Sequence, residues 1–145
     1  MAKKKPPKLH KSQSAAEFKL LVEQFSEEIS KRSGTAFLFR TSEHFQNFVY
    51  ELVVEWERKD RKIFFKILGL KTPMKDFPRP GPAFCKCEIE SLEQGDYTLV
   101  IDRRGKQVNE FKVSLRNGVK LLQSQKQDRF IDVTTDPNEW SYEAD

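Results

Sequence analysis

The first stretch with a regular hydrophobic pattern runs from Ser14 to Ser33, and its spacing predicts an α-helix. Apolar residues recur there at intervals of three and four, which would make one helix face apolar: Phe18, Leu21, Val22, Phe25 and Ile29. Ser14 and Glu17 form a capping-box pattern, in which each side chain satisfies a backbone donor of the other residue. Gly34 follows as a stop signal. We therefore expect a helix over residues 14–33.

After Gly34 the hydrophobic pattern changes to a period of two, which predicts β-strands. Ala36 to Arg40 is a short apolar run typical of a strand. Residues 47–57 alternate, and one face of a strand there would be wholly apolar: Phe48, Tyr50, Leu52, Val54 and Trp56. The same stretch also fits a helix over 43–56. We favour the strand because valine, tyrosine and tryptophan are frequent in it and a matching hairpin partner follows at 62–71.

The rest of the chain predicts further strands after an interruption. Four prolines lie within residues 71–82, and because proline supplies no backbone donor, this segment is expected to be a surface connection. The alternating segments that follow are Ala83 to Glu90, Asp96 to Asp102, Val108 to Leu115, Val119 to Leu122 and Arg129 to Thr134. Asn117-Gly118 predicts a hairpin turn, since both residues tolerate a positive φ.

One helix followed by seven or eight strands at hairpin spacing predicts a mostly β fold. We expect an N-terminal helix and then an antiparallel β-sandwich, either immunoglobulin-like or barrel-like. The fold would become α+β if residues 43–56 were helical. A single globular domain is expected over 14–135, between an arm at 1–13 and a tail at 136–145.

The segment from Leu92 to Leu99 contains a turn followed by Tyr97 at the start of a strand. It resembles the tyrosine-corner region of immunoglobulin-like and fibronectin-type sandwiches, in which such a tyrosine bonds back to the backbone. The resemblance implies that Tyr97 is buried and that its hydroxyl bonds near Leu92 or Glu93. It departs from antibody domains at Leu99, where those domains carry a cysteine, and a likeness of this kind implies nothing about function.

Charge is unevenly distributed along the chain. The arm at 1–13 holds five lysines and no acid, whereas residues 128–145 hold six acids and one arginine. The arm lacks the apolar stretch of a secretory signal, and no apolar run approaches the ~20 residues of a membrane span. Cys85 and Cys87 stand two apart, a spacing that disfavours a disulfide. Free thiols without a signal favour a cytoplasmic location and no membrane association.

Residue types that carry catalysis or bind cofactors are scarce in the chain. His44 with Cys85 or Cys87 is the one histidine–nucleophile combination outside the arm, and nothing in the sequence places these residues together. The Cys85-Lys86-Cys87 pair lacks the second pair that structural zinc usually requires. The acidic pairs Glu27-Glu28 and Glu88 with Glu90 are interpreted as solvated faces. No phosphate-binding glycine motif occurs, and we expect neither a cofactor nor a metal.

These observations predict a non-enzymatic binding or interaction module, and the expected partner is another protein. It would bind through an edge strand, a loop end or the helix. The alternative is a weak, non-specific nucleic-acid binder, whose basic arm and turns would neutralise phosphates. Its candidate contacts are Lys3, Lys4, Lys5, Lys8, Lys11, Arg58, Lys59, Arg61, Lys62, Arg103 and Arg104. An enzyme with a site assembled from scattered residues stays open as a third class.

Overall fold

The chain folds as nine β-strands and one short helix in a computed structural model that describes residues 16–43, 50–72 and 82–141. The strands are β1 (Phe18–Glu27), β2 (Arg32–Thr41), β3 (Glu51–Lys59), β4 (Lys62–Lys71), β5 (Phe84–Glu90), β6 (Asp96–Arg103), β7 (Gln107–Ser114), β8 (Lys120–Gln123) and β9 (Ile131–Thr134). The helix α1 spans Pro137–Trp140. None of the helices in the described ranges is long and apolar enough to cross a membrane.

All nine strands belong to one sheet in the order β8-β7-β6-β4-β3-β5-β2-β1-β9. Most neighbours are antiparallel, but β1 with β9, β3 with β5 and β4 with β6 run parallel. The contact between β3 and β5 is a single residue pair, Glu51 with Phe84, beyond which the ladder stops. The sheet curls until the chain before β9 lies against β7, which makes it a nearly closed barrel.

Asn109 on β7 makes the closing contacts, and its side chain is fully buried. Its Nδ2 atom donates to the carbonyls of Val108 and Asp128, each at 3.1 Å. Its Oδ1 atom accepts from the backbone N–H of Phe130 at 2.9 Å. The Phe130 carbonyl in turn accepts from the N–H groups of Glu17 and Phe18, at 3.0 and 3.1 Å. One amide therefore joins β7 to the start of β1.

The core fills the barrel interior with the apolar residues of alternating positions along the strands. Phe65 of β4 lies between Phe37 and Phe39 of β2, with ring centroids 5.0 and 5.1 Å apart. Because these rings come from strands on either side of the β3–β5 gap, their packing holds the two halves of the sheet together there.

The predicted helix over 14–33 is wrong, since its described part forms β1, a turn and the start of β2. Phe18, Leu20 and Val22 are buried in the core at a spacing of two. Leu21 is buried as well. Because buried apolar residues stand at adjacent as well as alternate positions, their spacing also fits a helix. The proposed helix face fails at Ile29, which lies in the β1–β2 turn and is 99% exposed. Pairing of ten residues with β2 outweighs the local helical pattern. Ser14 lies outside the described residues.

The predicted hairpin of 47–57 with 62–71 is confirmed in the described residues, as β3 pairs antiparallel with β4. The helical alternative for 43–56 does not hold from Glu51 onward, and residues 44–49 lie outside the described part. The later strands also lie close to their predicted positions. The strand count is nine rather than seven or eight. One continuous barrel-like sheet forms instead of two packed immunoglobulin-like sheets.

The tyrosine corner is confirmed within this different architecture. Tyr97 is 1% exposed, and its hydroxyl donates to the Glu93 carbonyl at 2.7 Å. The side chains of Arg58 and Arg61 lie over its ring, with guanidinium carbons 5.9 and 5.2 Å from the centroid. The corner therefore ties the turn before β6 to the β3–β4 hairpin.

Candidate binding site at the barrel mouth

One end of the barrel, which we call the mouth, opens into a cavity of about 390 Å³. Strand register brings its walls together, since the start of β1 faces the end of β2 and the end of β4 faces the end of β6. The lining residues are Glu17, Phe18, Thr41, Glu43, Leu52, Ile67, Gly69, Leu70, Arg103 and Arg104. Cavities of this size hold small ligands or a few side chains of a partner.

The floor of the mouth is apolar. Phe18, Leu52 and Ile67 lie there and are nearly inaccessible, whereas Leu70 at the rim is 43% exposed. A β-bulge in β4, opposite Val53 and Val54, produces this difference in exposure between the floor and the rim. Gly69 sits in the bulge at a φ of 145°, which glycine adopts readily, and the bulge brings Leu70 opposite Leu52. The bulge thus adds a large apolar side chain to the rim.

The rim of the mouth carries charges of both signs. Arg103 Nη2 pairs with Glu17 Oε1 at 2.7 Å, which neutralises one side. Arg104 is exposed in the β6–β7 turn at a φ of 53° and has no ion-pair partner among the described residues. The turn itself is fixed, because the Gly105 N–H donates to Asp102 Oδ1 at 2.6 Å. A rigid turn therefore presents a free guanidinium beside the apolar floor.

The described lining offers apolar and charged groups that can bind a ligand. Thr41 carries the one hydroxyl among the described lining residues, and it donates to the Glu43 carbonyl and accepts from the Ala83 N–H. Neither histidine nor cysteine occurs among the lining residues that the structure describes. Across the described residues, no three His, Cys, Asp or Glu side chains come together as a metal site. The geometry suits recognition of an apolar group with charged neighbours.

The basic turns predicted to act together lie at opposite ends of the sheet. Because β4 and β6 run parallel, Lys62 pairs with Thr98 at one end while Arg103 pairs with Ile67 at the other. The Arg61 side chain is engaged in the tyrosine corner, where its Nη1 donates to the Gln94 carbonyl at 3.0 Å. Arg58 and Lys59 lie at the same end as Arg61. Lys3, Lys4, Lys5, Lys8 and Lys11 lie outside the described residues, as does His44.

The acidic candidates Glu27, Glu88 and Glu90 surround Arg32 on the outer face of β1, β2 and β5. The Arg32 guanidinium contacts their carboxylates at 3.1, 2.6 and 2.9 Å. Hydrogen bonds from Arg32 and then Lys86 lower the pKa of Glu88. A hydrogen bond from Ser30 and the charge of Arg32 lower the pKa of Glu27. Carboxylates held ionised in this way stabilise a surface network and are poor proton donors.

A second concavity of about 370 Å³ lies over β3, β4, β6 and β7. Its apolar lining includes Trp56 and Val108, which are 42% and 51% exposed. Phe65 is the one buried apolar residue among its described lining residues, so its apolar floor is smaller than that of the mouth. This concavity is a comparison surface for binding experiments on the mouth.

Sequence reasoning missed the mouth as a site because its apolar members come from three strands, β1, β3 and β4, that are separated along the chain. Two local signals pointed towards it. A glycine inside a strand pattern, here Gly69, is typical of a bulge, and the Arg103-Arg104-Gly105 turn placed free charge at a strand end.

No protein-family model, curated protein or solved structure matches this chain.

Proposed function

We propose that the chain is a non-enzymatic binding module that holds a short apolar segment of a protein partner in the barrel mouth. The observation that carries the proposal is the combination of an open cavity of about 390 Å³, a buried apolar floor and a rim with both charge signs. Mouths of barrels are common binding sites for this reason.

The chemistry of the rim defines the partner segment. One or two large apolar side chains would cover Leu70 and fill the space above Leu52. An acidic group of the partner would meet the free guanidinium of Arg104, and a basic group would meet Glu43. Both rim charges are exposed, so they contribute register and specificity more than affinity.

The nucleic-acid alternative loses the support of its basic turns, because those turns do not share a surface. It rests on the lysine arm, and five phosphate contacts there would give a log–log salt slope of roughly −4 to −5 on duplex DNA. Deleting residues 1–13 separates the two functions: mouth binding should persist, whereas nucleic-acid binding through the arm would be lost.

The test is a pull-down from native lysate at moderate salt with four immobilised proteins compared in parallel. Leu70→Asp places a charge at the apolar rim, and Leu122→Asp is the matched control because Leu122 on β8 is 48% exposed. Arg104→Glu reverses the free rim charge and completes the set with the wild type. Losing burial of one leucine weakens binding at least about tenfold, since such burial contributes roughly 1.5–3 kcal/mol.

The proposal predicts that proteins retained by the wild type and by Leu122→Asp are depleted on Leu70→Asp and reduced on Arg104→Glu. It is wrong if the retained set is the same on all four proteins, or if it depends on Leu122 instead. Circular dichroism of each variant checks that depletion does not reflect unfolding.

A further inference from the structure

The end of the barrel opposite the mouth carries another cavity, of about 340 Å³, which we call the base cavity. It lies where β1 ends and β2 begins, and the β5–β6 turn forms its third wall. Its volume falls within the roughly 300–1,000 Å³ of small-molecule sites. The polar residues of its described lining are Gln24, Ser26, Ser33, Thr35, Ser91 and Gln94. It shares no lining residue with the mouth among the described residues.

Strand register explains why polar side chains face the barrel interior at this end. Val22 of β1 and Phe37 of β2 are paired, and both are buried in the core. Side chains alternate along a strand, so the positions two and four residues further from the mouth point to the same inner side. Those positions hold the cross-strand pairs Gln24 with Thr35 and Ser26 with Ser33. The inner face of the barrel therefore changes from apolar to polar where the core ends.

Thr35 is the lining residue that points most directly to a ligand. It is 1% exposed, and its hydroxyl makes no hydrogen bond with any residue that the structure describes. Buried hydroxyls nearly always have a partner, because leaving one unpaired is costly. The side chains of the other five polar lining residues also make no hydrogen bond within the described part of the chain. The base cavity thus combines unused hydrogen-bonding groups with a buried hydroxyl that needs a partner.

The rest of the described lining carries no charge either. Phe25 and Leu92 contribute apolar surface. The Arg32 guanidinium lies 5.4 Å from the centroid of the Phe25 ring, but three carboxylates on the outer face already neutralise it. A charged ligand would therefore meet no free opposite charge among these residues, and enclosing an unpaired charge is unfavourable. The cavity favours an uncharged ligand.

We propose that the base cavity binds a compact, uncharged, polyhydroxylated molecule of monosaccharide size. Its hydroxyl groups exchange hydrogen bonds with the amides of Gln24 and Gln94 and with the lining hydroxyls, since both kinds of group offer a donor and an acceptor. The Thr35 hydroxyl gains the partner that it lacks within the described chain. The C–H groups of the ligand pack against Phe25 and Leu92. This site is independent of the partner proposed for the mouth.

The direct test is an amide NMR titration of the wild-type protein with glucose, mannose and galactose. Each sugar is added to about 100 mM, so that a Kd near ~10 mM is measurable. Saturable shifts should appear on the amides of Gln24, Thr35 and Leu92 with at least one of these sugars. The matching uronate, which differs by one carboxylate, is the charged control and should bind more weakly. Binding of the methyl glycoside would identify the end of a glycan as the source, and its rejection a free sugar.

Two substitutions at Thr35 separate a binding role from a structural one. Thr35→Val removes the hydroxyl at similar size and should weaken sugar binding about two- to tenfold, the effect of one lost hydrogen bond. Thr35→Ser keeps a hydroxyl and should retain more of the affinity. Because the hydroxyl has no partner among the described residues, Thr35→Val should not lower the urea midpoint, whereas loss of a structural hydroxyl would lower it. Leu70→Asp, at the mouth, should bind the sugar as the wild type does.

The proposal is overturned if none of the three sugars gives saturable shifts at the base cavity, or if the uronate binds more tightly than its neutral sugar. Equal affinity of Thr35→Val and Thr35→Ser would also contradict it, as would sugar shifts that lie at the mouth and vanish in Leu70→Asp. The wild-type titration with sugars and uronate decides the matter even if a variant fails to fold.

Discussion

Replacing Asn109 by leucine should destabilise the protein more than any ordinary surface substitution, because Asn109 closes the barrel. Leucine has a similar size but cannot hydrogen bond, so the Phe130 N–H loses its acceptor in a buried position. Leaving one buried donor unsatisfied costs about 1–3 kcal/mol, and the lost bond to Asp128 adds about 1 kcal/mol. The Asp128 carbonyl keeps a second donor, Gln107 Nε2 at 3.0 Å, which limits that second cost. We expect a loss of about 2–4 kcal/mol in the free energy of unfolding.

Urea unfolding followed by tryptophan fluorescence measures this loss, with Asn138→Ala as the control. The Asn138 side chain lies on the exposed surface of α1 and makes no hydrogen bond within the described residues, so its removal should change stability by less than about 0.5 kcal/mol. Hydrogen exchange adds a local readout, because the Phe130 amide should be protected in the wild type and lose protection in Asn109→Leu. A loss below about 0.5 kcal/mol, or an unchanged Phe130 amide, would refute the role given to Asn109.

Three further substitutions test other parts of the fold. Tyr97→Phe should cost about 1–3 kcal/mol in urea unfolding, because the Glu93 carbonyl loses its donor, and no loss would contradict the corner. Gly34→Ala should cost about 1–3 kcal/mol in the same assay, since a Cβ there would lie 2.4 Å from the Ile89 carbonyl oxygen, and an unaffected stability would show that β2 and β5 approach less closely. Arg32→Gln should raise the pKa of Glu88 in an NMR titration. Since lowered carboxylate pKa values stabilise the fold above the ordinary value of 4.5 and that contribution is lost as pH falls through the folded pKa, the variant's stability should fall less steeply below pH 4.5.

The sequence was informative where hydrophobic alternation was unambiguous. The β3–β4 hairpin and the strands from Phe84 onward follow a period of two with turn residues between them, and Tyr97 carried its own local signature. Local pattern and tertiary structure agree in these segments.

The first hairpin shows where such reasoning reaches its limit. With apolar residues at 18, 20, 21, 22 and 25, β1 satisfies helical and strand spacing at once. The choice is made by pairing with β2 and, through the N–H groups of Glu17 and Phe18, by the Phe130 carbonyl. Contacts between residues more than a hundred positions apart leave no periodic signal. The contacts of Asn109 with Asp128 and Phe130, 19 and 21 positions away, likewise leave no periodic signal, and neither does the mouth that forms where these strands end.

The most direct test of the binding proposal is an amide NMR titration of the wild-type protein with 8-anilinonaphthalene-1-sulfonate, an apolar probe with one anionic group. We expect saturable shifts to concentrate at the mouth, on the amides of Phe18, Leu52, Leu70 and Arg104. The shifts should weaken in Leu70→Asp and persist in Leu122→Asp. Shifts confined to the surface around Trp56 and Val108, or the absence of saturable shifts, would contradict the assignment of the mouth as the binding site.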